Sequence, residues 1–136
     1  MPATRVEQTV CGDCGREVDL YGGQSAMDGL RYWAAYRCGH CGGQLEMDGI
    51  GIPPESFRQA LLRDEGAWGL NVQASGAHAV LALKCLRAEL GLTLADAGAL
   101  KARIPGTVRE GTRAEMEWLK QVLDAKGVTS SVVRCG

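Results

Sequence analysis

The spacing of apolar side chains changes character midway along this chain. Up to Gly51 they come in short groups cut by glycine, the pattern of a small β structure. Val18-Asp-Leu20 and Tyr32-Trp-Ala-Ala-Tyr36 read as strands, with Gly22-Gly23 and Asp28-Gly29 as turn signals between them. Glu46-Met-Asp-Gly-Ile50 follows as a final short strand or turn. Pro53-Pro54 closes this region and opens a helix, because proline is tolerated in a first helical turn. Phe57, Ala60, Leu61 and Leu62 then recur at helical spacing until Gly66 stops them. So short a helix must dock on something to be stable, and residues 53–67 are expected to be a connector or part of the second half.

From Trp68 the elements lengthen. Trp68-Gly-Leu-Asn-Val-Gln73 reads as a strand, Ala77 to Leu90 as a helix closed by Gly91, and Leu94 to about Arg103 as a second helix with Thr93 at its N-cap. Leu81, Cys85, Leu86 and Leu90 form the expected core stripe of the first of these. Thr107-Val-Arg109 suits a strand, and Thr112-Arg-Ala-Glu115 is a capping box for a helix that runs to Lys126 and stops at Gly127. Val128 to Val133, rich in β-branched residues, closes the chain as a strand. The order β-α-α-β-α-β predicts an α+β domain over residues 68–136, with helices on one face of a small sheet.

The chain of 136 residues accommodates one ordinary domain or two small ones. A net charge of −1 and a pI near 6.1 give no general attraction to nucleic acid or anionic membranes. The longest apolar run, Ala77 to Leu83, falls far short of a membrane span and contains His78. Arg5 and Glu7 interrupt any secretory-signal pattern, so the expectation is a soluble, cytoplasmic protein. The charge is split unevenly. Residues 1–52 carry four arginines and seven acids, whereas residues 69–136 carry nine Lys or Arg against six acids.

Chemistry enters with the cysteines. Cys11-Gly-Asp-Cys14-Gly and Cys38-Gly-His-Cys41-Gly-Gly are matched knuckles, each able to turn two thiolates toward one ion. Together they supply the four sulfurs of a closed tetrahedral site, which predicts a zinc ribbon over residues 1–52, ordered from about Val6 to Gly51, with one structural Zn²⁺ on Cys11, Cys14, Cys38 and Cys41. Iron uses the same ligands and stays open as an alternative. A disulfide framework would need an oxidising compartment. His40 reads as an exposed loop residue inside an already complete ligand set, and Trp33 and Tyr36 as packed on the ribbon. A metal would supply much of the folding free energy, because below about 60 residues a single core is marginal. With a tetrathiolate centre adding roughly −2, the ribbon is a poor match for phosphates.

The second half resembles the C-terminal domain of the bacterial ribosomal stalk protein. The likeness is densest at Leu83-Lys-Cys-Leu-Arg-Ala-Glu-Leu-Gly-Leu-Thr-Leu-Ala-Asp-Ala97 and continues through Pro105, Val108, Gly111, Leu119-Lys120, Leu123 and Gly127. It spans about Gly69 to Val133, includes none of the ribbon, and is one residue shorter than the family before the third helix. The resemblance implies a non-catalytic recognition head that recruits protein partners with the exposed side of its first helix and the turn after it. Carried over by position, the partner-binding residues would be Val80, Leu83, Lys84 and Arg87, which share one helical face. Three positions where the family usually has lysine hold Ala79, Ala95 and Gly98, which should slow encounter with an acidic partner. The family's N-terminal dimerisation segment and hinge are replaced by the ribbon.

No catalytic constellation emerges. The two histidines lie in no nucleophile pattern, and no glycine loop precedes a helix as a phosphate cradle. Cys85 reads as a core residue and Cys135 as an exposed thiol near the C-terminus. The expected function is a non-catalytic adaptor whose stalk-like head binds one protein partner. That partner would be a translation factor, a ribosomal component, or a cognate effector for which the chain is inhibitor or immunity protein. Fold analogy adds delivery to a protease. The alternatives are a nucleic-acid-binding ribbon regulator, disfavoured by the acidic ribbon, and an accessory subunit of an enzyme complex.

Overall fold

Four strands in simple succession build the first unit, Met1–Gly66: β1 (Thr4–Val10), β2 (Glu17–Ser25), β3 (Arg31–Arg37) and β4 (Gln44–Ile50). They pair antiparallel in the order β1-β2-β3-β4 in this computed structural model, which describes residues 3–135. Strand alternation places Leu20, Tyr32, Ala34 and Tyr36 on one face with Val6 of β1, and α1 (Glu55–Glu65) lays Phe57, Ala60 and Leu61 against them. The Phe57 and Tyr32 rings meet edge to face, 5.7 Å between centroids. The Thr4 hydroxyl donates to the Asp64 carboxylate at 2.7 Å, tying β1 to the end of the helix. Residues 53–67, expected to be a connector or part of the second half, thus hold α1, which covers the first sheet.

One further expectation changes. Gly22-Gly23 is no turn: both glycines lie inside β2, opposite Ala34 and Trp33. A Cβ on Gly22 would stand 2.4 Å from the Trp33 carbonyl oxygen and 2.7 Å from the Phe57 ring, so the missing side chain is what lets strand and helix approach. Trp33 packs on the sheet as expected, on the face away from α1, where it lies over Gly23 and stays 37% exposed. The strand β1 has no counterpart in the sequence reading. A register shift between Arg5 and Glu7 interrupts its alternation, and only Val6 and Val10 are apolar.

In the second unit, Ala67–Gly136, β5 (Trp68–Val72) is the centre of a three-stranded antiparallel sheet ordered β6-β5-β7, with β6 at Gly106–Gly111 and β7 at Ser130–Arg134. Helices α2 (Gly76–Leu90), α3 (Leu94–Lys101) and α4 (Arg113–Ala125) complete it. The core joins Leu70, Val72 and Val108 from the sheet to Ala82 and Leu86, Leu100, and Met116, Leu119 and Leu123 from the three helices. Thr93 with Asp96 and Thr112 with Glu115 form reciprocal capping boxes, and Gly91 ends α2 in the left-handed conformation. Val128, expected to start the last strand, is instead a buried anchor just before it. On α2 the fully buried positions are Ala82 and Leu86, with Leu81, Leu83, Cys85 and Leu90 half-buried beside them.

The chain is thus α+β, its first unit carrying a four-stranded antiparallel sheet, with four helices among the described residues. None of these helices is long and apolar enough to cross a membrane.

Candidate functional site

Cys11 stands just beyond the end of β1 and Cys38 just beyond the end of β3, so the two β hairpins deliver the knuckles to the same end of the sheet. Each knuckle closes by the same pair of backbone bonds. The Cys11 amide donates to the Arg16 carbonyl at 2.8 Å and the Gly15 amide to the Cys11 carbonyl at 2.9 Å. The second knuckle repeats this as Cys38 to Gly43 at 2.7 Å and Gly42 to Cys38 at 2.9 Å. Gly15 and Gly42 take φ of 76° and 77°, a left-handed turn that residues with a Cβ rarely adopt.

The four sulfurs of Cys11, Cys14, Cys38 and Cys41 all lie within 4.8 Å of one another. Across the knuckles, Cys11 Sγ is 3.6 Å from Cys41 Sγ, and Cys14 Sγ is 3.6 Å from Cys38 Sγ. A tetrahedron of sulfurs each about 2.3 Å from a central ion has edges of about 3.8 Å, so the spacing fits a bound metal. A disulfide would need roughly 2 Å, and all four are free thiols. Four sulfur donors fill a tetrahedron and leave no position for water or substrate. The cluster is therefore a possible metal-binding site of closed, structural form.

Backbone amides create a gradient of acidity within it. The amides of Cys41 and His40 hydrogen-bond the Cys38 sulfur and bring its pKa down to about 6. Those of Cys14 and Asp13 lower Cys11 in the same way. At Cys41 the Gly43 amide acts to lower the pKa, but the contact with Cys11, partial desolvation of the sulfur and the contacts with Cys14 and Cys38 outweigh it and push the thiol up to about 12. The backbone amides thus favour the thiolate form at Cys38 and Cys11. Cys11 and Cys38 are buried, Cys14 and Cys41 exposed.

His40 is exposed and stays outside the sulfur cluster. Tyr36 packs on the sheet as expected, and its hydroxyl adds a contact to the first knuckle. Its hydroxyl accepts from the Gly12 amide at 3.0 Å, and its ring packs on Cys11, Val18 and Cys38, bracing one knuckle from the strand that leads into the other. Its position two residues before Cys38 was the available signal.

Of the four residues singled out on α2, Val80 is 50% exposed, and Lys84 and Arg87 are exposed. Leu83 is half-buried and packs against the core, so the four do not form one uniformly free face. Arg87 is partly occupied, its Nε donating to the Leu92 carbonyl at 3.3 Å. Val80 and Leu83 line an apolar groove of about 590 Å³ with Ala79, Lys101, Ile104 and Pro105. Cys85 is half-buried beside the core, and Cys135 is half-buried rather than exposed. Burial and then the Glu110 carboxylate raise its pKa, so it is no activated thiol.

No protein-family model, curated protein or solved structure matches the chain.

Proposed function

We propose that this chain is a non-catalytic protein-binding adaptor, with a zinc ribbon as its first unit and a head like that of the ribosomal stalk protein as its second. The observation that carries the ribbon is the closed set of four sulfurs at tetrahedral spacing. Zn²⁺ is the occupant favoured by an all-thiolate donor set, and its role is to hold the two hairpin ends together. Support for the head comes from the resemblance at Leu83–Ala97 and from a three-stranded sheet with three helices in β-α-α-β-α-β order. The partner is a protein, held by Val80 and Leu83 at the groove with Lys84 and Arg87 as its basic rim.

Metal analysis of protein purified without chelator tests the first half, with one zinc per chain expected. Capture from native cytoplasm tests the second. Val80→Asp should abolish capture of the partner without unfolding, because Val80 is half exposed. Lys84→Glu should slow association and weaken its salt dependence more than it changes dissociation. A metal-free ribbon that remains folded, or capture unchanged by both substitutions, rejects the corresponding half.

A further inference from the structure

The two edges of the first sheet are built differently. The strand β1 is guarded: α1 packs on it, a register shift breaks its ladder near Arg5, and the Thr4–Asp64 hydrogen bond fixes its end. The strand β4 has none of these. It pairs with β3 in unbroken register from Gln44 to Ile50, and it contains no proline, lysine or arginine. Bulges, prolines, lysines and other charges, and covering elements are common devices that blunt an open edge, and of such devices β4 keeps only the carboxylates of Glu46 and Asp48.

Its two faces differ as well. Leu45 and Met47 lie opposite Tyr36 and Ala34, hence on the core face, yet they are 45% and 42% exposed. Gly49 continues that face, with the Tyr32 ring lying over it. Glu46 and Asp48 alternate with them on the other face and are both exposed. The free edge therefore offers a row of backbone donors and acceptors, flanked by an apolar ledge on one side and two carboxylates on the other.

We infer that β4 is a docking edge for an extended segment of a partner protein that alternates apolar and basic residues and adds to the sheet as a fifth strand. Backbone hydrogen bonds to β4 would hold it, with apolar side chains on Leu45 and Met47 and cations opposite Glu46 and Asp48. Charge decides against a second copy of the chain as occupant. The antiparallel self-pairings centred on Met47 or on Glu46 set Glu46 against Asp48 or against another Glu46, a like-charge opposition that destabilises. The inference stands on the first unit alone, so its failure leaves the reading of the head untouched.

The test uses the full chain with metal bound and a short, end-capped synthetic peptide of alternating valine and lysine. Saturable binding is expected, with slowed amide exchange along β4. An alternating valine–glutamate peptide should bind at least about tenfold more weakly. The double variant Glu46→Lys with Asp48→Lys should reverse that preference. Methylating alternate backbone nitrogens of the peptide needs no protein variant: one phase should abolish binding and the other should be tolerated. No binding of the valine–lysine peptide, equal binding of both peptides, unchanged preference in a folded double variant, tolerance of both methylation phases, or protection mapping away from β4 would each overturn the inference. So would dimerisation through β4.

Discussion

The two units are nearly equal in length and reach order by opposite routes. The second buries Leu70, Val72, Ala82, Leu86, Met116, Leu119, Leu123 and Val128 at 1% exposure or less, enough interlocking apolar volume to stand as a domain. The first owes its interior to Val6, Leu20, Ala34, Phe57, Ala60 and Leu61, and the knuckle end of its sheet has only Cys11, Val18 and Cys38 with Tyr36 beside them. Where apolar side chains are few, sulfur is concentrated. An ion held by those sulfurs would substitute for missing core and make the fold of the first unit depend on chemistry in solution.

The largest expected effect separates the units outright. Removing the metal, or replacing Cys38 by Ser, should melt β1–β4, a loss on the order of 10 kcal/mol of metal-linked folding energy. The second unit should keep its amide protection. Hydrogen exchange resolved by residue reads both at once, and parallel loss in the two units would erase the contrast. Leu123→Ala should do the reverse, destabilising the second unit by about 2–5 kcal/mol while metal content stays unchanged. Thermal unfolding followed alongside metal analysis checks this.

Gly22→Val tests the first unit's thin packing away from the metal. Its side chain would have to displace the Trp33 backbone or the Phe57 ring, and about 1–3 kcal/mol of destabilisation is expected in chemical denaturation. At the other extreme, Val80→Asp should change stability by less than about 0.5 kcal/mol, as expected of a surface position.

The finest discrimination comes from proton release on metal binding, read by calorimetry in buffers of different ionisation enthalpy. Free cysteines titrate near 9, so a metal-free unit that is unfolded should release close to four protons at neutral pH. A preformed cluster would release fewer, because Cys38, lowered to about 6, would already be a thiolate. The sign follows from that depression. The stability that the Cys38 thiolate lends a folded cluster is complete above about 9, and it is lost as pH falls through about 6. A count one or more short of four would show that the strands hold together without the ion.

The Thr112 capping box, the Thr93 N-cap, the glycine stops and the order of elements in the second unit were legible from local chemistry. Thr93, Thr112, Gly91 and Gly127 act on their own neighbours within a helical turn. The cysteine cluster was legible for the same reason, since two sulfurs three residues apart on a glycine turn are a local arrangement repeated twice. What proximity in the chain could not decide was everything set by approach across it. Gly22 and Gly23 have the composition of a turn, but they serve as the floor for Trp33 and Phe57, contacts made from other elements. Leu83 falls on the expected outer face by periodicity, yet neighbouring packing draws it half into the core. The helix after Pro54 carried its apolar stripe openly in the sequence, but only the fold assigned that stripe to the first sheet. It covers the β1 side, and the core-face side chains of β4 stay exposed. Local hydrogen bonding and metal-ligand spacing are short-range and survive in one dimension. Which face is buried depends on what arrives from elsewhere, and that is a property of the packed chain alone.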